Sequence, residues 1–246
     1  MALVGASLSG LAMVGMAWAS WRLLRLLMQL PLQAWASVFG GAALTLVRVA
    51  TVVGLGSLWT VPVGVWIGQS ERRCGRLQPL VQVAASFPAP ILYPLILLGL
   101  HRAGLGLDIG AVFLMLLGTQ WYLLFNVIAG ASSVPDDLRE TATAYRFTPR
   151  QRWRVLWWPA IFPYLITGWA TAAGGAWNAS IVAEYISMNH HVFVAHGLGS
   201  LISVAASQGH YDLLAAGVLT MAVVVVAINR CLWKPLYRLA ETRYAY

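Results

Sequence analysis

The chain is predicted to be an all-α, polytopic membrane protein with about six transmembrane helices. Two observations carry that prediction. Hydrophobic residues make up 59% of the 246 residues and charged residues only 10%, against about 25% charged in a soluble domain. Long stretches also carry no charge at all, notably Met1 to Trp21 and Ile109 to Val134, each long enough for the roughly 20 apolar residues that a bilayer core requires.

Six spans follow in order, over residues 4–28, 38–69, 78–100, 109–132, 157–187 and 211–232. The first is apolar until Arg22 and Arg25. It lacks a basic leader and a cleavage site before Arg22, so it is expected to be a retained span rather than a signal peptide. The second holds Arg48 inside it and Pro62 near its end. The third contains Pro88, Pro90 and Pro94, and is expected to be kinked or broken. The fourth is uncharged. The fifth opens on Trp157 and Trp158, which suit an interfacial anchor. The second and fifth exceed the length required, so tilt or a bend is expected in both.

The net charge is +8, and Lys234 is the only lysine. The positive residues flank spans rather than forming a nucleic-acid face. Arg72, Arg73 and Arg76, then Arg139, Arg146, Arg150, Arg152 and Arg154, then Arg230, Lys234, Arg238 and Arg243 alternate onto one side. Arg22, Arg25 and Arg102 fall on the other. The positive-inside rule then predicts that both termini are cytoplasmic. Cys74 and Cys231 lie next to cytoplasmic segments, where a structural disulfide is not expected. No metal-ligand spacing is present.

One charged island interrupts this pattern: "DDLRETATAYRFTPRQRWRVLWWP", Asp136 to Pro159. Ser133 is expected to be an N-cap, with Pro135 in the first turn and Asp136 at the positive end of the helix dipole. Thr148-Pro-Arg-Gln151 has the spacing of a capping box. One short helix should therefore end near Arg146 or Phe147 and another begin at once, making an elbow. Leu138, Ala142, Tyr145, Phe147 and Trp153 give it an apolar edge. Two readings fit: a folded projection that offers this edge to a cytoplasmic partner, or an amphipathic helix lying on the membrane.

The island resembles the cytoplasmic signature of binding-protein-dependent ABC importer permeases. That signature reads Glu-Ala-Ala, three residues, Gly, nine residues, Ile-x-Leu-Pro. Glu140, Ala142 and Pro159 match in register. Thr141 stands for the first Ala, Arg146 for the Gly, and Leu156 and Trp158 for the Ile and Leu. The resemblance extends from about Thr45 to the C-terminus. "TLVRVATVVGLGSLWTVPVGVWIGQS" and "LQPLVQVAASFPAPILYPL" resemble the family's second core helix and its proline-broken third. "GGAWNASIVAEYIS" and "INRCLWKPLYRLAETRY" are similar to the nitrate, sulfonate and taurine branch.

The resemblance implies a type I (MetI-like) permease fold in a bacterial inner membrane. It implies one permease domain: a peripheral N-terminal span (1–37), a core (38–232) with a coupling segment (133–156), and a cytoplasmic tail (233–246). It further implies a second permease subunit, a periplasmic or extracellular solute-binding protein and cytoplasmic P-loop ATPase subunits that bind ATP and Mg. Asp136, Asp137, Leu138, Glu140, Ala142, Tyr145, Arg146 and Phe147 would couple to the ATPase. The imported solute would be a small anion such as nitrate, a sulfonate or taurine. No catalytic or metal residue and no cofactor of its own is expected. Lys234 lies between Trp233 and Pro235, so the chain has no P-loop motif of its own.

Arg48 and Glu184 are the informative ionisable pair inside the spans, at about 3 kcal/mol each on insertion scales. Their depths predict an ion pair on the outer half of the pathway. The pair either locks two helices, or Arg48 attracts an anionic solute that Glu184 helps to position. Trp177 and Asn178 share the fifth span with Glu184 and are assigned to the translocation pathway with them. His190, His191, His196 and His210 cluster on the outer side without the partners of a metal site, and suit a polar loop. "LGSLISVAAS", between turns at Gly197, Gly199 and Gly209, is expected to form a short helix along the membrane surface. The rival function is a self-contained secondary transporter or channel, but no inverted repeat is visible. The motifs of intramembrane enzymes are also missing.

Overall fold

The computed structural model describes residues 2–188 and 191–244, with side chains from Met13 onward. α1 (Ala2–Met28) turns tightly into α2 (Leu32–Gly68), which starts ahead of the expected residue 38. α3 (Glu71–Ser86) and α4 (Tyr93–Arg102) are two arms of one broken span, joined through the 3₁₀ turn Ala89–Leu92. They meet at 71°. The prolines explain the break, because the ring at Pro88 forbids a helical bond to the preceding turn. α5 (Leu107–Ser132) leads into α6 (Asp136–Ala144) and the single turn α7 (Pro149–Gln151). A π turn over Arg152–Trp157 then feeds α8 (Trp158–Ala183).

The fifth span ends at Ala183, earlier than expected. The chain then forms a hairpin, β1 (Tyr185–Met188) and β2 (His191–Val194), antiparallel with Ile186 opposite Phe193. α9 (Leu198–Gln208) follows, then α10 (Tyr211–Ile228), a second π turn (Asn229–Trp233) and α11 (Lys234–Arg243). One face of α9 is buried. Leu198, Ile202 and Ala205 are buried, and the helix packs against α2, α8 and α10. The reason is compositional: its apolar residues recur on one face and its small residues allow close approach.

Among the described residues, three helical segments are long and apolar enough to cross a membrane: Leu32–Gly68, Leu107–Ser132 and Tyr211–Arg243, with the bent α3–α4 pair as a fourth. α8 has 26 residues, enough for a bilayer at 1.5 Å per residue. Gly168, Thr171, Gly174, Gly175 and Asn178 lower its apolarity. It survives inside a membrane because protein, not lipid, covers much of it: Ile161, Ile166, Ala172 and Ala176 are fully buried. α5 is the central helix and packs along both α2 and α8. Small residues let the axes close up. A Cβ added to Gly68 would sit 2.6 Å from that of Ala131, and one on Gly130 would sit 3.0 Å from the Cα of Ile161.

The segment expected as a tail, 233–246, is helical as far as Arg243. α10, the π turn and α11 run on as one helix from Tyr211 to Arg243, and α11 folds its apolar edge onto α8. Ala240 joins Phe162 and Ile166 in a buried cluster, and the Tyr237 hydroxyl donates to Thr167 Oγ1 at 3.2 Å. Both π turns end in Trp-x-Pro, at Trp157–Pro159 and Trp233–Pro235. A proline offers no N–H to the carbonyl four residues back and its ring crowds that carbonyl, so the turn before it widens. Arg22 and Arg25, which fit the predicted orientation least well, stack on Trp18 and Trp21 at 4.9 and 5.1 Å. Cation–π pairs of this kind suit a headgroup interface.

Candidate functional site

Glu184 follows the last residue of α8 and is fully buried. Its carboxylate is saturated. Oε1 accepts from Arg48 Nη1 and from the Thr45 hydroxyl, both at 2.8 Å. Oε2 accepts from the backbone N–H groups of Gly199 and Ser200 at 2.9 and 3.2 Å. These are free donors in the first turn of α9, where the helix dipole also favours a negative charge. Gly197 permits this approach, since any Cβ there would collide with the Glu184 carboxylate. Thr45 Oγ1 in turn accepts from the Leu198 N–H at 2.8 Å.

Arg48 is equally committed. Nη1 also donates to the His196 carbonyl at 2.7 Å, Nη2 to Asp108 Oδ1 at 2.6 Å, and Nε to the Asp108 carbonyl at 3.1 Å. Asp108 accepts from the His196 N–H at 2.8 Å, and its Oδ2 lies 3.1 Å from His196 Nδ1. The predicted Arg48–Glu184 pair is therefore present, as the centre of a network joining α2, α5, α8 and α9. Sequence reasoning missed Thr45 and Asp108. His191 lies on β2, His210 stands at the start of α10, and His190 lies outside the described residues. No group of metal-ligating side chains occurs among the described residues.

Trp177 and Asn178 point to different surroundings. Trp177 is 3% exposed. It lines a cavity of about 180 Å³ with Gly174, Val225 and Trp233. Asn178 is exposed, and so are Thr171 and Tyr164, at seven-residue intervals along one face of α8. Gly175 on that face abuts the ring of Tyr122, which is 46% exposed on α5. Asn126, one turn further along α5, donates to the Tyr122 carbonyl at 2.8 Å. Polar groups on the outer surface of a membrane helix are unfavourable against lipid. A stripe of them marks a surface that meets water or another protein.

At the opposite end, the elbow is present, with one correction. Ser133 does not start α6. It is the C-cap of α5, and its hydroxyl donates back to the Gly130 carbonyl at 2.9 Å. Pro135, extended at φ −58° and ψ 146°, is the residue that precedes α6. Its fixed φ suits that junction, so no side-chain cap is needed. Asp136 and Asp137 fill the first turn. The second start is as predicted. Gln151 N–H donates to Thr148 Oγ1 at 3.3 Å, and Thr148 N–H donates to Gln151 Oε1 at 2.8 Å.

Between them α6 closes with a left-handed residue. Arg146 has φ 52°, the one positive-φ residue other than glycine among the described residues. Its N–H and that of Phe147 donate to Thr143 and Ala142 carbonyls, each at 3.0 Å. This is the Schellman pattern, which usually takes glycine. Ala142 is buried against Val65, Val127, Leu156 and Trp157, with Phe147 alongside. Leu138 and Tyr145 are 40% and 75% exposed, and Glu140 also faces out. One side of α6 thus holds it to the bundle, and the other is open.

A family model for the binding-protein-dependent transport system inner membrane component matches residues 60–232. Among known proteins, the nitrate import permease NrtB of Synechocystis is 28% identical over 142 residues, 58% of this chain and 50% of that protein. The match to that relative thus spans half of its length. The bicarbonate transport permease CmpB of Synechocystis is 25% identical over 74% of this chain and 62% of its own. The taurine permease TauC of Escherichia coli is 24% identical over 79% and 67%. Among solved structures, an inward-facing MetNI methionine ABC transporter superposes with a TM-score of 0.69 at 18% identity, covering 86% of this chain and 99% of that one. The chain is therefore a multi-pass membrane protein with the MetI-like permease fold, and it belongs to the family of binding-protein-dependent transport system inner membrane components.

Proposed function

We propose that this chain is the permease subunit of an ATP-driven ABC importer for a small anion. A cytoplasmic P-loop ATPase supplies the energy and binds ATP and Mg. A solute-binding protein delivers the anion on the outer side. The observation that carries this reading is the elbow, a double-ended projection anchored through Ala142 with Leu138, Glu140 and Tyr145 turned outward. Asp136, Asp137, Arg146 and Phe147 complete the coupling surface. Its charge keeps it out of lipid and its apolar edge fits a groove on a soluble partner, with both termini on the same cytoplasmic side.

The stripe of Tyr122, Asn126, Thr171 and Asn178 supports a pathway between two permease subunits, this chain paired with a copy or a close relative. Asn178 faces the solute in this reading. Trp177 and the Arg48–Glu184 pair hold the wall from behind: Trp177 is buried, and the polar groups of the pair are already engaged. The anion class rests on the nitrate, bicarbonate and taurine relatives.

Gentle purification of the tagged protein from its native membranes, followed by mass spectrometry, tests the assignment. A P-loop ATPase should accompany the protein in equal amount and be lost in a Tyr145→Glu variant. The purified assembly should then be offered labelled nitrate, bicarbonate and taurine in liposomes. A chain that purifies alone and moves solute without ATP would replace this reading with secondary transport.

A further inference from the structure

At the root of the elbow, three guanidinium groups surround a cavity of about 170 Å³. Arg73 comes from α3, Arg139 from α6 and Arg152 from the π turn; Gln69, Thr143 and Trp157 complete the wall. The space is smaller than the roughly 300 Å³ at which pockets for drug-sized ligands begin. Much of the donor capacity is unused. Arg139 reaches the carbonyls of Ala131 and Gln69 at 3.2 and 3.4 Å, and lies 3.5 Å from Asp136, whose side chain is 73% exposed. Arg152 donates once, to the Thr143 hydroxyl at 3.3 Å. Arg73 stacks on Trp66 at 4.8 Å and makes no hydrogen bond or ion pair among the described residues. The Nε atoms of Arg139 and Arg152 are buried, and neither has an acceptor among the described residues.

This arrangement is unfavourable as it stands. Buried donors of charged groups are normally satisfied, and three like charges around one small space repel. The exposed carboxylate of Asp136, beside Arg139 alone, balances only part of that charge. A compact anion with several acceptor oxygens removes both costs, because guanidinium forks match such oxygens in pairs. We propose that this cavity binds a phosphate-type oxyanion, which ties α3, α6 and the π turn before α8 together beneath the elbow. Trp66, which is exposed, suits the headgroup level of a bilayer, whereas Trp157, expected as an interfacial anchor, is buried; either free phosphate or the phosphate of an anionic lipid can reach the site. This site is separate from the transported solute and stands or falls independently of it.

The test uses the full-length protein in phosphatidylcholine nanodiscs, read by thermal unfolding. One arm adds millimolar inorganic phosphate against chloride at equal ionic strength. The other replaces part of the lipid with phosphatidylglycerol. The wild type should gain about 3 °C in one of the arms, and Arg73→Gln and Arg152→Gln should abolish the gain. A phosphate response assigns the site to the free anion, and a lipid response to a headgroup. If Arg152→Gln does not fold, Arg73→Gln decides alone, since no hydrogen bond depends on its side chain. The absence of a gain in both arms, or a gain that the foldable variants keep, overturns the proposal.

Discussion

The two ends of the core both centre on arginine, and they treat it in opposite ways. At the Glu184 end Arg48 faces two carboxylates, and both oxygens of Glu184 have donors. At the elbow end Arg73, Arg139 and Arg152 line one cavity beside a single exposed carboxylate, with two Nε atoms unmatched. Both ends draw on distant parts of the chain: Arg48 and Glu184 are 136 positions apart, and Arg139 and Gln69 are 70 apart. What differs is saturation. Saturated charge suits a joint that stays shut, and unsaturated charge beside exposed Tyr145 suits a surface that meets something else.

The sharpest way to break this comparison is Arg48→Ala. It leaves Glu184 buried and uncompensated, which should cost about 3–5 kcal/mol. Thermal unfolding in detergent measures it, and a wild-type melting temperature would remove the lock from the argument. Tyr145→Glu should barely change stability, since the ring is 75% exposed and surface substitutions stay within about 0.5 kcal/mol. It should instead weaken ATPase binding about tenfold or more, the size of a hot-spot loss; titration of the purified ATPase onto the reconstituted protein checks this. Asn178→Leu should assemble normally yet slow import about tenfold, one hydrogen bond's worth of barrier. Transport at wild-type speed would take α8 off the pathway. The smallest effect is a gain. Arg146→Gly should stabilise the protein by about 1 kcal/mol, because it removes a left-handed non-glycine residue. A loss of stability would show that the Arg146 side chain contributes more than its backbone costs.

The fold class and the ion pair were legible because both rest on large costs. Charge in a bilayer is expensive, so Arg48 and Glu184 had to find partners, and three prolines in one span had to break it. The elbow was legible from its capping residues, although Ser133 showed how a cap can serve the helix behind it instead of the one ahead. Thr45 and Asp108 escaped notice for physical reasons. A threonine hydroxyl costs little in a helix because it can bond its own backbone, and Asp108 sits just outside the apolar run. The polar stripe was hidden for another reason: Tyr122, Thr171 and Asn178 acquire meaning only once α5 and α8 are laid side by side. The hairpin after Ala183 was hidden because its strands are four residues each, too short to show an alternating pattern.

The two π turns carry a consequence for how the gene can change. A π turn is what an α-helix makes of one surplus residue. Deleting a single residue between Asn229 and Trp233 would restore regular winding and leave α11 close to its present facing. The same deletion in the regular helix on either side would turn α11 through about 100°, and Tyr237 and Ala240 would turn away from Thr167, Phe162 and Ile166. Each turn is thus a counted insertion, and these two short stretches are where the helices can lose a residue and keep their packing.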